Sequence, residues 1–338
     1  MDKTVSLIIP VKYPNQFLQQ CLESIACCSP PPLEVIVVLD GGTDQAAPET
    51  GLKNLRTVML PETCGPSRAR NIGALNASGD ILLFVDSDVI LPPDIITRIN
   101  RGFTAAEPPD AVFGSYDDKP PAQDTVSQYK NLLNHYVHQT SNPNAFTFWT
   151  GCGAILRSRF LEAKGFCEDY RQPSIEDIEL GYRLKKAGAT ILLDKTIQVT
   201  HLKHWSLSVL LRTDFFQRAI PWSQLIFRSG SMNNDMNINM TGRLSVLLSW
   251  LIVLMLCLAP VNFYFAVGSA FSFTLFLFMN RDIFLFFSRK RGWWFMTRTI
   301  PLHFLYFLSS GLAFGMVLVQ HLLRGIPGSE RNKTAAAG

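Results

Sequence analysis

The spacing of hydrophobic residues along the chain changes near residue 240. Before that point, short apolar runs such as Val5–Val11 and Glu34–Leu39 have the length and composition of buried strands. Between these two runs, Gln16–Cys27 carries apolar side chains at helical spacing. The same alternation continues with strands predicted at Leu55–Leu60 and Asp80–Val85, and a helix at Pro66–Ala77. It predicts an α/β fold with a mostly parallel central sheet that is covered on both faces.

After residue 240 the apolar runs are long and uncharged. No charged residue occurs from Leu244 to Asn280, or again from Thr299 to Leu323. One membrane span needs about 20 apolar residues, whereas helices buried in a soluble domain are shorter and carry a polar stripe. We therefore predict membrane spans, placed at about Leu244–Phe263, Phe265–Phe287 and Thr299–Leu323. The third of these can also be read as a re-entrant segment.

These patterns predict four regions: an α/β domain at 1–204, an interfacial amphipathic segment at 205–243, a membrane region of two or three helices at 244–323, and a tail at 324–338. Trp205–Arg228 is rich in aromatic and basic residues, which is typical of helices on a membrane surface. The basic loop Ser288–Arg291 should remain cytoplasmic, and the two preceding spans put the α/β domain on the same side. We therefore expect a multi-pass protein of the inner cell membrane, although Arg331 and Lys333 in the tail fit the charge rule poorly.

Composition narrows the class of protein further. Charged residues make up 17% of the chain, against roughly 25% in ordinary soluble domains, and hydrophobic residues make up 47%. This apolar content excludes a disordered chain. A net charge of +4 is too small to indicate a nucleic-acid partner. Seven cysteines without regular spacing do not form a disulfide framework.

Acidic residues stand where the predicted strands end, which is where ligands bind in open α/β sheets. Asp40 ends the second strand, and its carboxylate can bind a base or ribose or anchor the turn that follows. Asp86 and Asp88 follow the strand that ends at Val85. Two carboxylates in this place suit Mg²⁺ or Mn²⁺, with diphosphate oxygens as further ligands.

Two further segments carry candidate chemistry. Glu176, Asp177 and Glu179 begin a predicted helix, where acidic residues are favourable. A capping box from Ser174 to Asp177 explains one of these carboxylates, and the remaining acidic cluster is a candidate for a general base. Arg70 enters another helix beside a turn and can either face a phosphate or remain a surface charge.

Taken in order, these segments resemble the family-2 glycosyltransferases of the GT-A fold over about residues 4–205. The stretch Ala77–Asp88, with its Asp86-Ser87-Asp88 motif, is the most specific part. The other matching pieces are Val5–Val11, Cys21–Ile25, Asp40-Gly41-Gly42-Thr43-Asp44, Ala69–Gly73, Gly151, Gly165-Phe166 and Glu176–Leu180. Each piece is weak alone, whereas their ordered set is specific.

The resemblance implies roles for individual residues. The general base would be Asp177, with Glu176 beside it. The nucleotide-sugar, a UDP- or GDP-sugar, would be bound by Pro10, Val11, Asp40, Arg70, Asp86 and Gly151. A divalent metal, Mg²⁺ or Mn²⁺, would be held by Asp86, Asp88 and His201.

The resemblance also implies the reaction: inverting, metal-dependent transfer of one sugar to a lipid-linked acceptor at the cytoplasmic membrane face, in cell-envelope glycan or glycolipid biosynthesis. Two alternatives stay open: a processive polysaccharide synthase, and a non-catalytic membrane scaffold with a degenerate transferase domain. The first is disfavoured because Gln217–Trp222 lacks the Gln-x-x-Arg-Trp spacing of processive enzymes. Sugar choice is expected to lie in residues 110–173, where the candidates are Asp117, Asp118, Tyr129, His135, His138 and Trp149.

Overall fold

A computed structural model describes residues 2–41, 50–230, 232 and 236–324, with Asn237 described by its backbone alone. These residues fall into two compact units, one within Met1–Ser206 and the other within Leu207–Gly338. Part of one predicted motif (Gly42, Thr43 and Asp44) and the predicted tail beyond Arg324 lie outside the described residues.

The first unit contains an eight-stranded mixed sheet. Its strands are β1 (Val5–Val11), β2 (Glu34–Asp40), β3 (Leu55–Leu60), β4 (Ile81–Val85), β5 (Val89–Ile90), β6 (Ala111–Tyr116), β7 (Cys152–Leu156) and β8 (Ile191–His201). Their order across the sheet is β3-β2-β1-β4-β7-β6-β8-β5. The first four in this order are parallel, and β7 is antiparallel to both β4 and β6. The strands predicted from the apolar runs are therefore confirmed.

Helices cover the sheet on both faces, which explains why β1, β2 and β4 are apolar almost throughout. The helices are α1 (Gln16–Ala26), α2 (Pro66–Leu75), α3 (Ile95–Phe103), α4 (Thr125–Thr140), α5 (Arg157–Glu162) and α6 (Glu176–Lys186). Leu7 and Ile9 of β1 join a core that includes Leu18 and Leu22 of α1. Ile8 points to the opposite face, where its side chain contacts Gly73 of α2.

Strand pairing gathers the predicted site residues at one edge. Asp86 directly follows β4, which lies next to β1, and β1 lies next to the strand that ends at Asp40. The short strand β5 pairs with the end of β8, so that Val89 lies opposite His201. This pairing brings Asp88 to His201, although the two are more than 100 residues apart in sequence.

The second unit is helical. It begins with the continuous helical stretch α7 (Leu207–Arg212), a π-helical segment (Thr213–Ala219) and α8 (Ile220–Ser229), followed by a 3₁₀ turn (Met236–Ile238). The later helices are α9 (Met240–Leu258), α10 (Phe263–Met279), α11 (Arg281–Arg291) and α12 (Trp293–Arg324). Among the described residues, α9 and α12 are long and apolar enough to span a membrane, and α10 with α11 makes a third span only if this bent pair is counted as one.

The predicted second span, Phe265–Phe287, is not one helix. It bends by 64° between α10 and α11. Asn280 lies at the bend, and its amide donates hydrogen bonds to Ser245 Oγ of α9 and to the Phe276 carbonyl, both at 2.9 Å. The basic residues predicted to form a loop at 288–291 are instead the last turn of α11.

Small residues allow the apolar helices to approach closely. A Cβ on Gly268 of α10 would lie 2.9 Å from Met255 Sδ of α9. A Cβ on Gly311 of α12 would lie 2.5 Å from Trp250 Nε1, and this indole nitrogen donates to the Leu308 carbonyl at 3.2 Å.

The packing of α2 on the sheet predicts a steric effect at Gly73. A Cβ there would lie 2.4 Å from Ile8 Cγ2 and 3.2 Å from Val38 Cγ2. Overpacking of this kind costs about 1–3 kcal/mol, and the better helix propensity of alanine offsets about 1 kcal/mol of it. Gly73→Ala should therefore lower the thermal unfolding midpoint of the detergent-solubilised chain. Gly51→Ala is the control, because a Cβ there has no atom within 4 Å, and equal midpoints for the two variants would contradict this packing.

Candidate active site

A buried arginine joins three elements at the centre of the site. Arg70 of α2 has a side chain that is 5% exposed. Its Nη1 donates to Glu176 Oε1 and its Nη2 donates to Asp86 Oδ1, both at 2.8 Å. The second oxygen of Glu176 accepts the Ser174 N–H at 2.8 Å. One guanidinium therefore holds the end of β4 and the start of α6 in a fixed relation to α2.

The charges around Arg70 keep it protonated. Burial favours the neutral form, but the carboxylates of Asp86, Glu176 and Asp177 outweigh burial and raise the pKa of Arg70. Its Nε is buried and has no hydrogen-bond partner. The structure thus buries Arg70, while the neighbouring Arg68 remains exposed. Both of the bonded terminal nitrogens of Arg70 point to carboxylates.

Asp177 lies half-buried in the first turn of α6. Its Oδ2 accepts the N–H of Thr150 at 3.2 Å and the hydroxyl of the same residue at 3.3 Å, and its Oδ1 accepts the Ile178 N–H at 2.8 Å. Burial and the adjacent Glu176 raise the pKa of Asp177 to about 6, although Arg70 acts in the opposite direction. A carboxyl with a pKa near neutrality suits a general base.

The capping box predicted at the start of α6 is absent. The residue that precedes the helix is Ile175, and no side chain caps the helix there. Ser174 contributes its backbone N–H to Glu176 instead. The acidic residues are therefore held by Arg70, Thr150 and backbone groups, which is why this segment departs from the expected local pattern.

Asp88 and His201 form the other end of the site. His201 Nε2 lies 3.5 Å from Asp88 Oδ2, and its Nδ1 lies 2.6 Å from the side-chain oxygen of Asn131. Because an amide oxygen only accepts, Nδ1 carries a proton and Nε2 faces the carboxylate. Burial opposes ionisation of Asp88, but the hydrogen bond from His201 and the charge of Lys203 outweigh it and lower the pKa of Asp88.

The donor set at this end fits a divalent ion. Asp86 and Asp88 are partly exposed, with 32% and 26% of their side chains accessible, so their oxygens can reach a ligand. Metal-bound histidines commonly donate the other ring N–H to an oxygen, as His201 does to Asn131. Among the described residues, no group of three or more His, Cys, Asp or Glu side chains could hold a metal ion, so Asp86, Asp88 and His201 do not form a three-ligand set. A bound Mg²⁺ or Mn²⁺ would need further oxygens from water and a diphosphate, and the metal stays a prediction.

Asp40 is buried, and both of its carboxylate oxygens are engaged. Oδ1 accepts the Cys64 N–H at 2.6 Å and Oδ2 accepts the Gly65 N–H at 2.9 Å. These bonds fix the loop before α2 against the end of β2. The sequence left open an anchor for the turn that directly follows Asp40, whereas the observed bonds go to the distant loop at Cys64 and Gly65. Contact of Asp40 with a nucleotide base stays a prediction.

The other predicted contacts are apolar or backbone positions. Pro10 is half-buried and Val11 is buried at the end of β1, opposite Val38 and Leu39 of β2. Gly151 is buried under an indole, because a Cβ there would lie 2.2 Å from Trp149 Cζ2. Their assignment to the nucleotide-sugar stays a prediction.

The structure brings together Arg70, Asp86, Glu176 and Asp177, and separately Asp88 and His201. The sequence reading missed two residues that hold site side chains, Thr150 and Asn131. Thr150 directly precedes the motif glycine Gly151, which is a signal that the sequence offers, whereas Asn131 of α4 carries no such local signal. Among the candidates for sugar choice, Tyr129, His135 and His138 are buried.

Comparison with known proteins identifies the first unit. The family model described as glycosyl transferase family 2 matches residues 6–163, slightly less than half of the chain. Residues 6–163 belong to glycosyl transferase family 2. This family-2 domain contains Arg70, Asp86 and Asp88, whereas Glu176, Asp177 and His201 follow the matched segment.

Curated relatives agree with this family. Glycosyltransferase GlyA of Streptococcus pneumoniae is 27% identical over 188 residues, which are 49% of this chain and 26% of the relative. The validoxylamine A glucosyltransferase of Streptomyces hygroscopicus is 25% identical over 257 residues, 64% of this chain and 57% of that protein. The chain spans only 26% to 40% of the length of the first three such relatives.

A solved structure supports the GT-A fold. The mannosyltransferase PcManGT of Pyrobaculum calidifontis, solved with GDP-Man and Mn²⁺, has a TM-score of 0.61 at 15% sequence identity. The alignment covers 93% of this chain and 87% of that one. At this identity the likeness concerns the fold, and it confirms the GT-A architecture expected for the family-2 domain.

Because Arg70 is buried, substitution of its partner Glu176 should lower the free energy of unfolding more than the same substitution of a surface glutamate, Glu162. Glu176→Gln leaves the Arg70 charge with one carboxylate fewer in a buried place, and breaking such pairs costs about 3–5 kcal/mol. Glu162→Gln removes one of the two carboxylate partners of Arg159 on the surface, where the Arg159 and Glu162 side chains are 47% and 64% exposed, and should lower the free energy of unfolding much less. Urea unfolding of the solubilised chain measures both, and similar losses would show that the Arg70 network does not stabilise the domain.

Proposed function

We propose that this chain transfers one sugar from a UDP- or GDP-sugar to a lipid-linked acceptor at the cytoplasmic face of the cell membrane, with inversion of the anomeric carbon. The observation that carries this proposal is the arrangement in the Arg70 network. In this network Arg70 joins the start of α6 to Asp86 at the end of β4, where the predicted metal ligands begin. Asp177, whose carboxyl group has a pKa of about 6, lies in the first turn of the same helix α6. The family and the fold support the same reading.

The residues of the site divide the chemistry between them. Asp86, Asp88 and His201 would hold Mg²⁺ or Mn²⁺, which when bound neutralises charge on a departing diphosphate. The acceptor oxygen attacks the anomeric carbon from the face opposite the diphosphate, and the bond from that carbon to the diphosphate oxygen breaks. With a hydroxyl acceptor, a carboxylate oxygen of Asp177 takes the proton. Thr150 and Ile178 orient that carboxylate through their hydrogen bonds.

The choice of a lipid acceptor rests on the second unit. The two candidate membrane helices would anchor the chain in the bilayer in which a polyprenyl-linked or other lipid acceptor resides. The helical stretch from Leu207 to Ser229 exposes Leu207, Val209 and Phe216, which suits a membrane surface. The cytoplasmic side rests on the basic residues Arg289, Lys290 and Arg291 and on counting the bent pair α10 and α11 as a third span, because two spans must then separate these residues from the α/β domain.

Metal dependence is tested by removal of one ligand. Purified chain should hydrolyse or transfer at least one of a panel of UDP- and GDP-sugars in Mn²⁺ or Mg²⁺, and EDTA should abolish turnover. Asp88→Ala should abolish it as well, because a diphosphate would lose its shared ion. Asp94→Ala is the control, since this aspartate is exposed and pairs with Arg98 of α3. Full activity in EDTA would refute the metal, and inactivity towards the whole panel would favour the non-catalytic scaffold.

The raised pKa of Asp177 predicts a pH dependence. The base must be ionised, so with a hydroxyl acceptor kcat/KM should fall as the pH drops through about 6. Asp177→Asn should lose about 10²- to 10⁴-fold and abolish this acid limb. The exposed Asp169→Asn serves as the control.

The same variant distinguishes acceptor classes. The phosphate of a polyprenyl phosphate is already ionised, so Asp177 would orient this acceptor and the loss in Asp177→Asn should be smaller. Turnover of each variant with a long-chain alcohol and with a polyprenyl phosphate provides the comparison. An equal loss with both would show that Asp177 does not act as a base for the hydroxyl.

A further inference from the structure

A continuous series of contacts joins the two ends of the site. It starts where Asp88 Oδ2 meets His201 Nε2 at 3.5 Å. The His201 ring stacks on Tyr116, with ring centroids 4.2 Å apart and planes 10° apart. The Tyr116 ring packs perpendicular to the Trp149 indole, with ring centroids 4.8 Å apart and an angle of 89° between the two planes. These ring contacts therefore connect Trp149 to His201 and Asp88, the predicted metal ligands.

The backbone next to Trp149 is joined to the base end of the site. The next residue, Thr150, donates both its N–H and its hydroxyl to Asp177. A Cβ on Gly181 of α6 would lie 2.5 Å from the Phe148 nitrogen, so the helix that carries Asp177 packs directly on the backbone before Trp149. Trp149 is therefore connected through its ring to the residues that would hold the diphosphate, and through its neighbour Thr150 to the residue that would activate the acceptor.

The surroundings of Trp149 hold its ring in one place. His138 packs against the indole at a centroid distance of 5.0 Å and an angle of 84°. A Cβ on Gly151 would lie 2.2 Å from the ring, and one on Gly153 would lie 2.1 Å from the Trp149 carbonyl oxygen. Both positions therefore need glycine. A ring fixed in this way keeps its orientation without loss of conformational entropy when a ligand arrives.

Within this series, Trp149 is the least buried aromatic residue, although it also packs against the hydrophobic core. Tyr116 is 6% exposed and His201 is 5% exposed, whereas Trp149 is only partly buried. A sugar ring presents a face of C–H groups between its hydroxyls, and this face packs on the flat apolar surface of an aromatic ring. Polar groups near the indole can form hydrogen bonds with the hydroxyl groups of such a sugar.

We propose that Trp149 is the platform on which the sugar ring of the donor packs, and hence a residue that determines which sugar is accepted. The inference rests on the proposed function, because it takes the diphosphate to lie at Asp88 and the acceptor to lie at Asp177. It adds a contact to the sugar ring itself, which neither the carboxylates nor the metal supply.

The test measures the contribution of the sugar to binding separately from that of the nucleotide. Isothermal titration of the full chain in detergent with Mn²⁺ gives Kd for UDP, GDP, UDP-N-acetylglucosamine and GDP-mannose. The quantity of interest is the ratio of Kd for the nucleoside diphosphate to Kd for its sugar derivative. Trp149→Leu should reduce this ratio about tenfold, while the Kd of the nucleoside diphosphate changes less than twofold. Trp149→Phe, which keeps a smaller ring, should reduce the ratio less.

Controls make each outcome decisive. Phe146→Leu removes an exposed aromatic ring three residues earlier, which faces Lys185 rather than the site, and should leave the ratio unchanged. Thermal unfolding verifies that the variants fold, and if Trp149→Leu does not, Trp149→Phe alone must lower the ratio. An unchanged ratio, or an equal loss for the nucleoside diphosphate, would overturn the role of Trp149. If the wild-type chain bound none of the four probes, the proposed function itself would fail, and the platform with it.

Discussion

The site depends on one buried guanidinium. Arg70 has no access to water that would solvate its charge, so it must be neutralised by carboxylates at hydrogen-bond distance. It meets this requirement with Asp86, at the end of β4, and Glu176, at the start of α6. The position of Asp177 follows, because it is the next residue of the same helix. A change in any member of this network would therefore alter the distance between the carboxylates for the diphosphate and the carboxylate for the acceptor.

The sheet explains why these groups meet at all. Parallel strands β1, β2 and β4 end at the same edge, which places the loops after Asp40 and Val85 side by side. The antiparallel strand β7 then leads away from the loop that carries Trp149 and Thr150. The change from parallel to antiparallel pairing thus lets one edge receive residues from both halves of the unit. Short strand β5 completes this edge, since its pairing with β8 holds His201 beside Asp88.

The sequence predicted the strands and the acidic strand ends because both depend on local signals. A short apolar run such as Val35–Leu39 predicts a buried strand, and the polar residue that follows the run predicts where the strand ends. Partners across the fold were not readable in this way. The salt bridge between Arg70 and Glu176 joins residues 106 positions apart, and the hydrogen bond between Asn131 and His201 joins residues 70 apart. Arg70 was consequently left open between a phosphate contact and a surface charge, and Glu176 was predicted as a catalytic residue beside Asp177, without its partner Arg70.

The same limit applies to the apolar helices, for a different physical reason. A hydropathy average adds up the side chains of a segment one by one, so Asn280 is only one polar residue at the end of the uncharged run Leu244–Asn280. It does not include the contacts that this residue makes with other helices. In the structure, its amide donates to Ser245 of α9, and its oxygen lies 3.2 Å from His303 Nε2 of α12. Inside an apolar bundle such groups must be satisfied by each other, so three helices are tied at one point. The bend of the chain between α10 and α11 coincides with Asn280. The tie also gives the apolar helices a fixed register, which packing of similar aliphatic side chains alone would not specify.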